Sequence, residues 1–370
     1  PQPVMPELEK SALKLRADLE KLRKPMADLS AHLLARLADD TGEMAADTRK
    51  RMDAVAASLT RRGAMSLAAW SDMLSALSEG HESEGFVDWL EIERIDGRTH
   101  DVGYYRHYID PMKPFAASLK PHLHGAAITS ATLTDARQDW AVPLASTGAE
   151  YLSPAPHTAR FPSPFDYAAQ SKVFIVNDVN KNDLRQVAGA YAALFSASGG
   201  GGLGLFTAIS RLRAVHEQIS ARLEQEGIPL YAQHIEAMDT GSLVDIFRAE
   251  HHACLLGTDA MRDGVDVAGD SLRLLVFDRV PWPRPTLLHK ARRDAFARLY
   301  GGPKDYDEMV TRQKLKQGFG RLIRRANDKG VFVMLDSGFP SRLHDAFPAD
   351  VDVQKVGLME ACASIRTFLN

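Results

Sequence analysis

Cysteine is nearly absent. Cys254 and Cys362 stand far apart, and neither has a CxxC or Cys/His ligand spacing beside it. Neither a disulfide framework nor a self-contained zinc or iron–sulfur site is therefore expected, and a reduced, cytoplasmic setting is. No apolar run reaches the roughly 18 residues a membrane helix needs, so no membrane span is expected. Charge of one sign is missing too: Lys+Arg 45 against Asp+Glu 48 leaves a net charge of -3. The whole molecule thus has no global attraction for a polyanion, and any such partner must be held by a local basic surface. No GxxxxGK[ST] phosphate cradle occurs, and the run Gly199-Gly200-Gly201-Gly202 is not followed by lysine. Histidine is more plentiful, but His251-His252 and the His122/His124 pair have no matched carboxylate or cysteine nearby, so no metal site is predicted.

What is present is enough apolar chain for more than one core: 45% hydrophobic against 25% charged over 370 residues. From Leu8 to Leu77 leucines recur at three- and four-residue steps between charges, as in Leu15, Leu19, Leu22 and then Leu29, Leu33, Leu37. That spacing predicts an all-α segment, an antiparallel hairpin or small bundle. A linker-like stretch, Glu79 to Gly85, follows. Phe86 to Glu93 then alternates like a strand, Asp96-Gly97 turns, and Tyr104 to Ile109 reads as a second strand. Residues 114–123 are predicted as a short helix and Ala126 to Thr129 as a buried strand, with a proline- and serine-rich crossover over 143–170.

Beyond the crossover, short apolar strands alternate with amphipathic helices. The predicted strands are 203–206, 230–232, 253–257, 272–277 and 331–335; the predicted helices are 183–197, 210–226, 241–250, 286–299 and 305–326. This alternation argues for an α/β domain, a parallel sheet with helices on both faces, preceded by the all-α segment. In such sheets ligands bind at the carboxyl ends of the strands.

The most specific string is Gln317-Gly318-Phe319-Gly320-Arg321-Leu322-Ile323-Arg324. On the helix predicted over 305–326, Gln317, Arg321 and Arg324 fall at four- and three-residue steps and share one face. Two forked guanidiniums and an amide, with Gly318 and Gly320 allowing close approach, suit an anion of several oxygens such as a triphosphate. By spacing alone, a solvated basic face extended by Arg312 and Arg325 is an open alternative.

The QxxGRxIR string resembles motif VI of superfamily 2 helicases, in the form found in the XPD/DinG branch. The resemblance implies a RecA-like sheet, with Arg321 and Arg324 as arginine fingers for the γ-phosphate of ATP held by a first motor domain, and Gln317 placing the phosphate or attacking water. Thr258 to Gly269 is similar to motif V, which implies nucleotide contacts from Gly264 and Asp266 beside Gly320. Leu205-Phe206-Thr207-Ala208-Ile209-Ser210 resembles motif IV, where Thr207 and Ser210 would grip a nucleic-acid backbone. Thr129-Ser130-Ala131-Thr132-Leu133 resembles motif III, with Ser130 and Thr132 coupling the ATP site to the DNA track. Phe161 to Phe165 is similar to the SPF start of the second motor domain, and Arg279 to Pro285 to the RLPFPxP segment, with Trp282 where phenylalanine is usual.

On that resemblance the chain is expected to comprise a helical arch-like region (1–85), a strand-bearing part of the first RecA-like domain (86–142) and the whole second RecA-like domain (143–370). The parent would be an ATP-dependent helicase that uses ATP and Mg2+ and moves on single-stranded or forked DNA. The phosphate loop, the DEAH-like magnesium pair and the cysteines some relatives use for an iron–sulfur cluster all precede the arch in that family. Their absence here, and a start at Pro1-Gln2-Pro3, point to a piece of a longer protein whose missing N-terminal motor domain is its partner. Two further expectations follow: the piece alone hydrolyses no ATP, and its two arginines face a cleft at the carboxyl edge of the sheet. The competing class is a non-hydrolytic nucleic-acid-binding or regulatory module. An α/β metabolic enzyme would need a GxGxxG turn leading from a strand into a helix, or a nucleophile elbow, and the chain offers neither.

Overall fold

A computed structural model describes residues 5–39, 42, 44–79, 85–134, 139–259, 261, 267 and 269–369. By its contacts the chain forms two compact units, Pro1–Asp110 and Pro111–Asn370.

In the first unit the leucine spacing produces α1 (Pro6–Ala38), α2 (Ala46–Thr60) and α3 (Ala68–Glu79), the last two joined without a break by a π-helical stretch over Arg61–Leu67. Gly63 in that stretch lets the backbone approach α1 closely: a Cβ there would lie 3.3 Å from Cβ of Met26. Ser30 on α1 donates to the Ala56 carbonyl of α2 at 3.1 Å, and Ser71 on α3 donates to Glu20 of α1 at 3.0 Å. Strands β1 (Phe86–Ile95) and β2 (Arg98–Tyr108) form an antiparallel hairpin whose register sets Phe86 opposite Tyr108. Its turn is Asp96-Gly97, both at positive φ, the geometry a two-residue hairpin loop requires.

The second unit begins with α4 (Met112–Leu119) and α5 (Ala141–Thr147), and a single helical turn, α6 (Tyr167–Gln170), leads into the sheet. Seven parallel strands follow: β3 (Ser171–Val176), β4 (Gly202–Phe206), β5 (Leu230–Ala232), β6 (Cys254–Thr258), β7 (Leu274–Phe277), β8 (Gly330–Met334) and β9 (Val353–Val356), in the spatial order β5-β6-β4-β7-β8-β3-β9. The crossovers are α7 (Leu184–Ser198), α8 (Ile209–Gln225), α9 (Thr240–Ala249) and the pair α10 (Leu287–Leu299) and α11 (Pro303–Phe319); α12 (Leu358–Leu369) closes the chain.

Strand periodicity of two divides each buried strand between two cores. Phe174, Val176, Phe206, Val331 and Val333 join the α7, α8 and α12 side, while Val173, Ile175, Leu205, Phe332 and Met334 join the α9 and α11 side. Apolar residues on both faces are what a parallel sheet covered by helices demands. Both cysteines lie in the first of these cores, and burial pushes the Cys254 thiol up to about 12, so it serves as a packing residue.

The glycine run is a turn. Gly199 caps α7 in the left-handed conformation, and a Cβ on Gly200, at φ 93, would stand 2.2 Å from the His252 carbonyl oxygen.

Three expectations need correction. Residues 126–129 form no strand and are exposed, because no strand of either sheet pairs with them and an isolated extended segment has no bonds for its backbone. The helix expected over 305–326 stops at Phe319, where two glycines flank the last residue and the Arg321 N–H turns back to the Gly318 carbonyl at 3.0 Å. Strands β3 and β9 and helix α12 lie in stretches where no element was expected. Among the described residues no helix is long and apolar enough to cross a membrane.

Candidate functional site

All strands of the sheet run the same way, so the loops that precede them share one edge and the loops that follow them share the other. Residues 320–329 precede β8, which puts the arginine-bearing segment on the amino edge. The expectation of a carboxyl-edge cleft is therefore overturned: α11 runs antiparallel to the strands and delivers its C-terminal end to the opposite side. Gln317 lies on the last turn of α11, half-buried, while Gly320 and the half-buried Arg321 and Arg324 belong to the loop beyond it. The three side chains accordingly do not share a helical stripe.

What replaces the helix is a bracket. Asp328 accepts the N–H groups of Arg324 and Arg325, each at 2.8 Å, and folds the loop back on itself. Gln170, buried at the end of α6, donates its side-chain amide to the carbonyls of Arg325, Ala326 and Asp328, each at 3.0 Å. Leu322 and Ile323 are buried in the α9 and α11 core, so the arginines on either side of them are carried by an anchored backbone. Sequence reasoning missed Gln170 because a single glutamine carries no pattern; its position shortly before the apolar run Val173-Phe174-Ile175-Val176 was the available signal. Gln170→Ala leaves the buried Asp328 carbonyl and the part-buried Arg325 and Ala326 carbonyls short of a donor and is expected to lower unfolding stability by about 1–3 kcal/mol. Urea denaturation followed by circular dichroism checks this, and an unchanged midpoint would remove the anchoring role.

Beside the bracket a polar hollow of about 280 Å³ is lined by Arg273, Asp270, Arg325, Asp328 and Lys329 among others. Gly264 and Asp266 lie outside the described residues. Among the described residues no group of three histidine, cysteine or carboxylate side chains stands together as a metal site would require.

The carboxyl edge holds the other candidates. Thr207 follows β4 and its N–H donates to Asp278 at 3.3 Å; Ser210 is exposed in the first turn of α8, whose N-cap, Ala208, offers no side-chain acceptor. Asp278 is fully buried at the end of β7, where Arg211 on α8 pairs with it at 2.6 Å. Burial pushes the Asp278 carboxyl above its ordinary range, with Arg211 pulling against that. Ser130, exposed, and Thr132, half-buried, stand elsewhere, in the loop after α4, with their hydroxyls 3.1 Å apart. Lys316 of α11 reaches that loop, donating to the Thr134 carbonyl at 3.0 Å.

Residues 191–352, from within α7 to the loop before β9, match the helicase C-terminal domain family. Over these residues the chain is similar to the C-terminal region of XPD/DinG-type superfamily 2 helicases. It is 28% identical over 304 residues to the 3'-5' exonuclease DinG of Bacillus subtilis, covering 78% of this chain and 32% of that protein. Against the ATP-dependent helicase DinG of Mycobacterium tuberculosis it is 37% identical over 158 residues, 42% of this chain and 23% of the relative. Against the ATP-dependent DNA helicase YoaA of Escherichia coli it is 34% identical over 195 residues, 50% of this chain and 29% of the relative. The chain thus spans a third or less of the length of these relatives. A solved structure titled XPD_Helicase superposes with a TM-score of 0.50 at 13% identity, covering 92% of this chain and 64% of that one, which supports the RecA-like fold.

Proposed function

We propose that the chain is the C-terminal part of an ATP-dependent DNA helicase and completes an ATPase site whose phosphate-binding half lies in a preceding motor domain. The observation that carries this is the bracketed loop: Asp328 holds the Arg324 backbone, Gln170 holds the residues that follow it, and the Arg321 N–H turns back to the Gly318 carbonyl. Guanidiniums on an anchored backbone stabilise charge where it develops in the transition state without reorganising to do so. The donor set fits a phosphate rather than a metal, since the two guanidiniums are cationic and carry donors only. ATP held by the preceding domain supplies the transferable phosphoryl group. On this side Arg321 and Arg324 would neutralise its oxygens, Gln317 would orient the phosphate or the water, and Gly264, Asp266 and Gly320 would adjoin the nucleotide.

In this reading Thr207 and Ser210 hold the backbone of single-stranded or forked DNA, and Ser130 and Thr132 link the two sites. Residues 1–85 serve as the arch-like region, 86–142 belong functionally with the first motor domain, and 143–370 are the second. The test is an ATPase assay with single-stranded DNA. The 370-residue chain alone is expected to show no stimulated turnover, and turnover to appear when the chain is joined to the phosphate-binding domain. Ordinary turnover by the chain alone would overturn this division of labour.

A further inference from the structure

The carboxyl edge carries more positive charge than the proposed grip of Thr207 and Ser210 uses. Four cations converge there: Lys181 after β3, Arg211 on α8, and Arg279 and Arg284 in the loop after β7. They engage two carboxylates. Asp278 takes Arg211, and Asp336 takes Lys181 at 2.6 Å. Arg279 makes no ion pair among the described residues. Its terminal nitrogen donates to the Lys181 carbonyl at 3.2 Å and to Asn182 at 2.9 Å, and its Nε is buried without a partner. Arg211 donates to that same Lys181 carbonyl at 3.0 Å, so two guanidiniums crowd one neutral acceptor. Among the described residues Arg284 reaches only the Thr207 carbonyl, at 3.3 Å.

Two carboxylates do not balance four cations, and Arg279 and Arg284 bond only neutral acceptors, so like charges held together here cost free energy that an arriving anion removes. Forked guanidiniums match phosphate oxygens in pairs, whereas a lysine would present only a point charge. The same loop exposes Trp282, at 39%, between Arg279 and Arg284. An exposed indole among arginines offers a stacking surface for a base, which a free anion has no use for.

We propose that the loop 278–284, with Lys181 and Arg211, seats single-stranded nucleic acid: Arg279 and Arg284 take neighbouring backbone phosphates and Trp282 takes a base face. Asp278 and Asp336 are positioning residues that hold Arg211 and Lys181 in place. The seat deepens the nucleic-acid reading above and rests on it. Because phosphates and base faces are common to all sequences, binding here tolerates any sequence.

The experiment is fluorescence anisotropy of a labelled oligothymidylate titrated with the 370-residue chain over a salt series. Arg279→Ala and Arg284→Ala are each expected to flatten the slope of log affinity against log salt by about one, and together by about two. Trp282→Ala is expected to weaken binding roughly tenfold or more, with Trp282→Phe recovering most of it. Thermal melting of each variant tests folding. Should Arg279→Ala fail to fold, Arg279→Lys is expected to keep the slope and lose affinity. Unchanged slopes in the double arginine variant, while Thr207→Ala and Ser210→Ala weaken binding, would overturn the seat and leave the nucleic-acid reading standing. Millimolar pyrophosphate displacing the oligonucleotide as well as unlabelled strand does would assign the cluster to free phosphate and also overturn it. No binding of the oligonucleotide at low salt would sink both readings.

Discussion

Arg324→Ala in the chain joined to a phosphate-binding motor domain is expected to reduce ATP turnover by about 10³-fold or more, the range over which arginine fingers act, while single-stranded DNA binding persists. The separation of effects follows from the sheet. Arg324 stands on the amino edge, before β8, and Thr207 and Ser210 on the carboxyl edge, after β4. A five-residue strand rises roughly 15 Å between the two edges. Removing a guanidinium at one edge leaves the contacts at the other in place. Arg324→Lys is expected to recover little, because an ammonium cannot present the planar fork. Steady-state turnover measured beside oligonucleotide affinity reads both effects, and unchanged turnover in Arg324→Ala would withdraw the finger assignment.

Asp278→Ala is expected to destabilise the sheet-bearing unit by about 3–5 kcal/mol. Asp278 is fully buried and Arg211, its partner, is 13% exposed, so truncating the carboxylate strands a guanidinium in a site with little water. The Thr207 N–H also loses its acceptor. Replacing both partners, Asp278→Leu with Arg211→Met, is expected to restore most of the stability, because the cost lies in an uncompensated charge rather than in the loss of the pair. Urea unfolding of the single and double variants decides this. A single variant as stable as the parent would show that the carboxylate is not required to neutralise Arg211.

Element types were legible wherever periodicity was strong. The leucine spacing of 8–77, the Asp96-Gly97 turn and the strands around 203–206, 230–232, 254–258 and 330–334 all appear within a residue or two of expectation. Tertiary packing overrode local pattern elsewhere. Residues 126–129 are apolar enough for a strand, yet no neighbouring strand is there to receive their bonds. The arginine string has helical spacing, yet Gly318, Gly320 and the Asp328 bracket end the helix before the arginines. Gln170 lies some 155 positions from the loop it anchors, a distance at which no local pattern reports contact.

The order of residues alone therefore determined the alternation of strands and helices, because side-chain periodicity and turn chemistry act over a few positions. It also carried the helicase strings, which are contiguous. Only the tertiary structure decided which edge of the sheet each string occupies. That depends on whether a segment precedes or follows its strand once all seven run in parallel, and the same geometry brought Lys181, Arg211, Arg279 and Arg284 together from two loops and a helix. A parallel sheet gathers distant residues by strand order, and strand order is settled by packing between elements far apart in the chain.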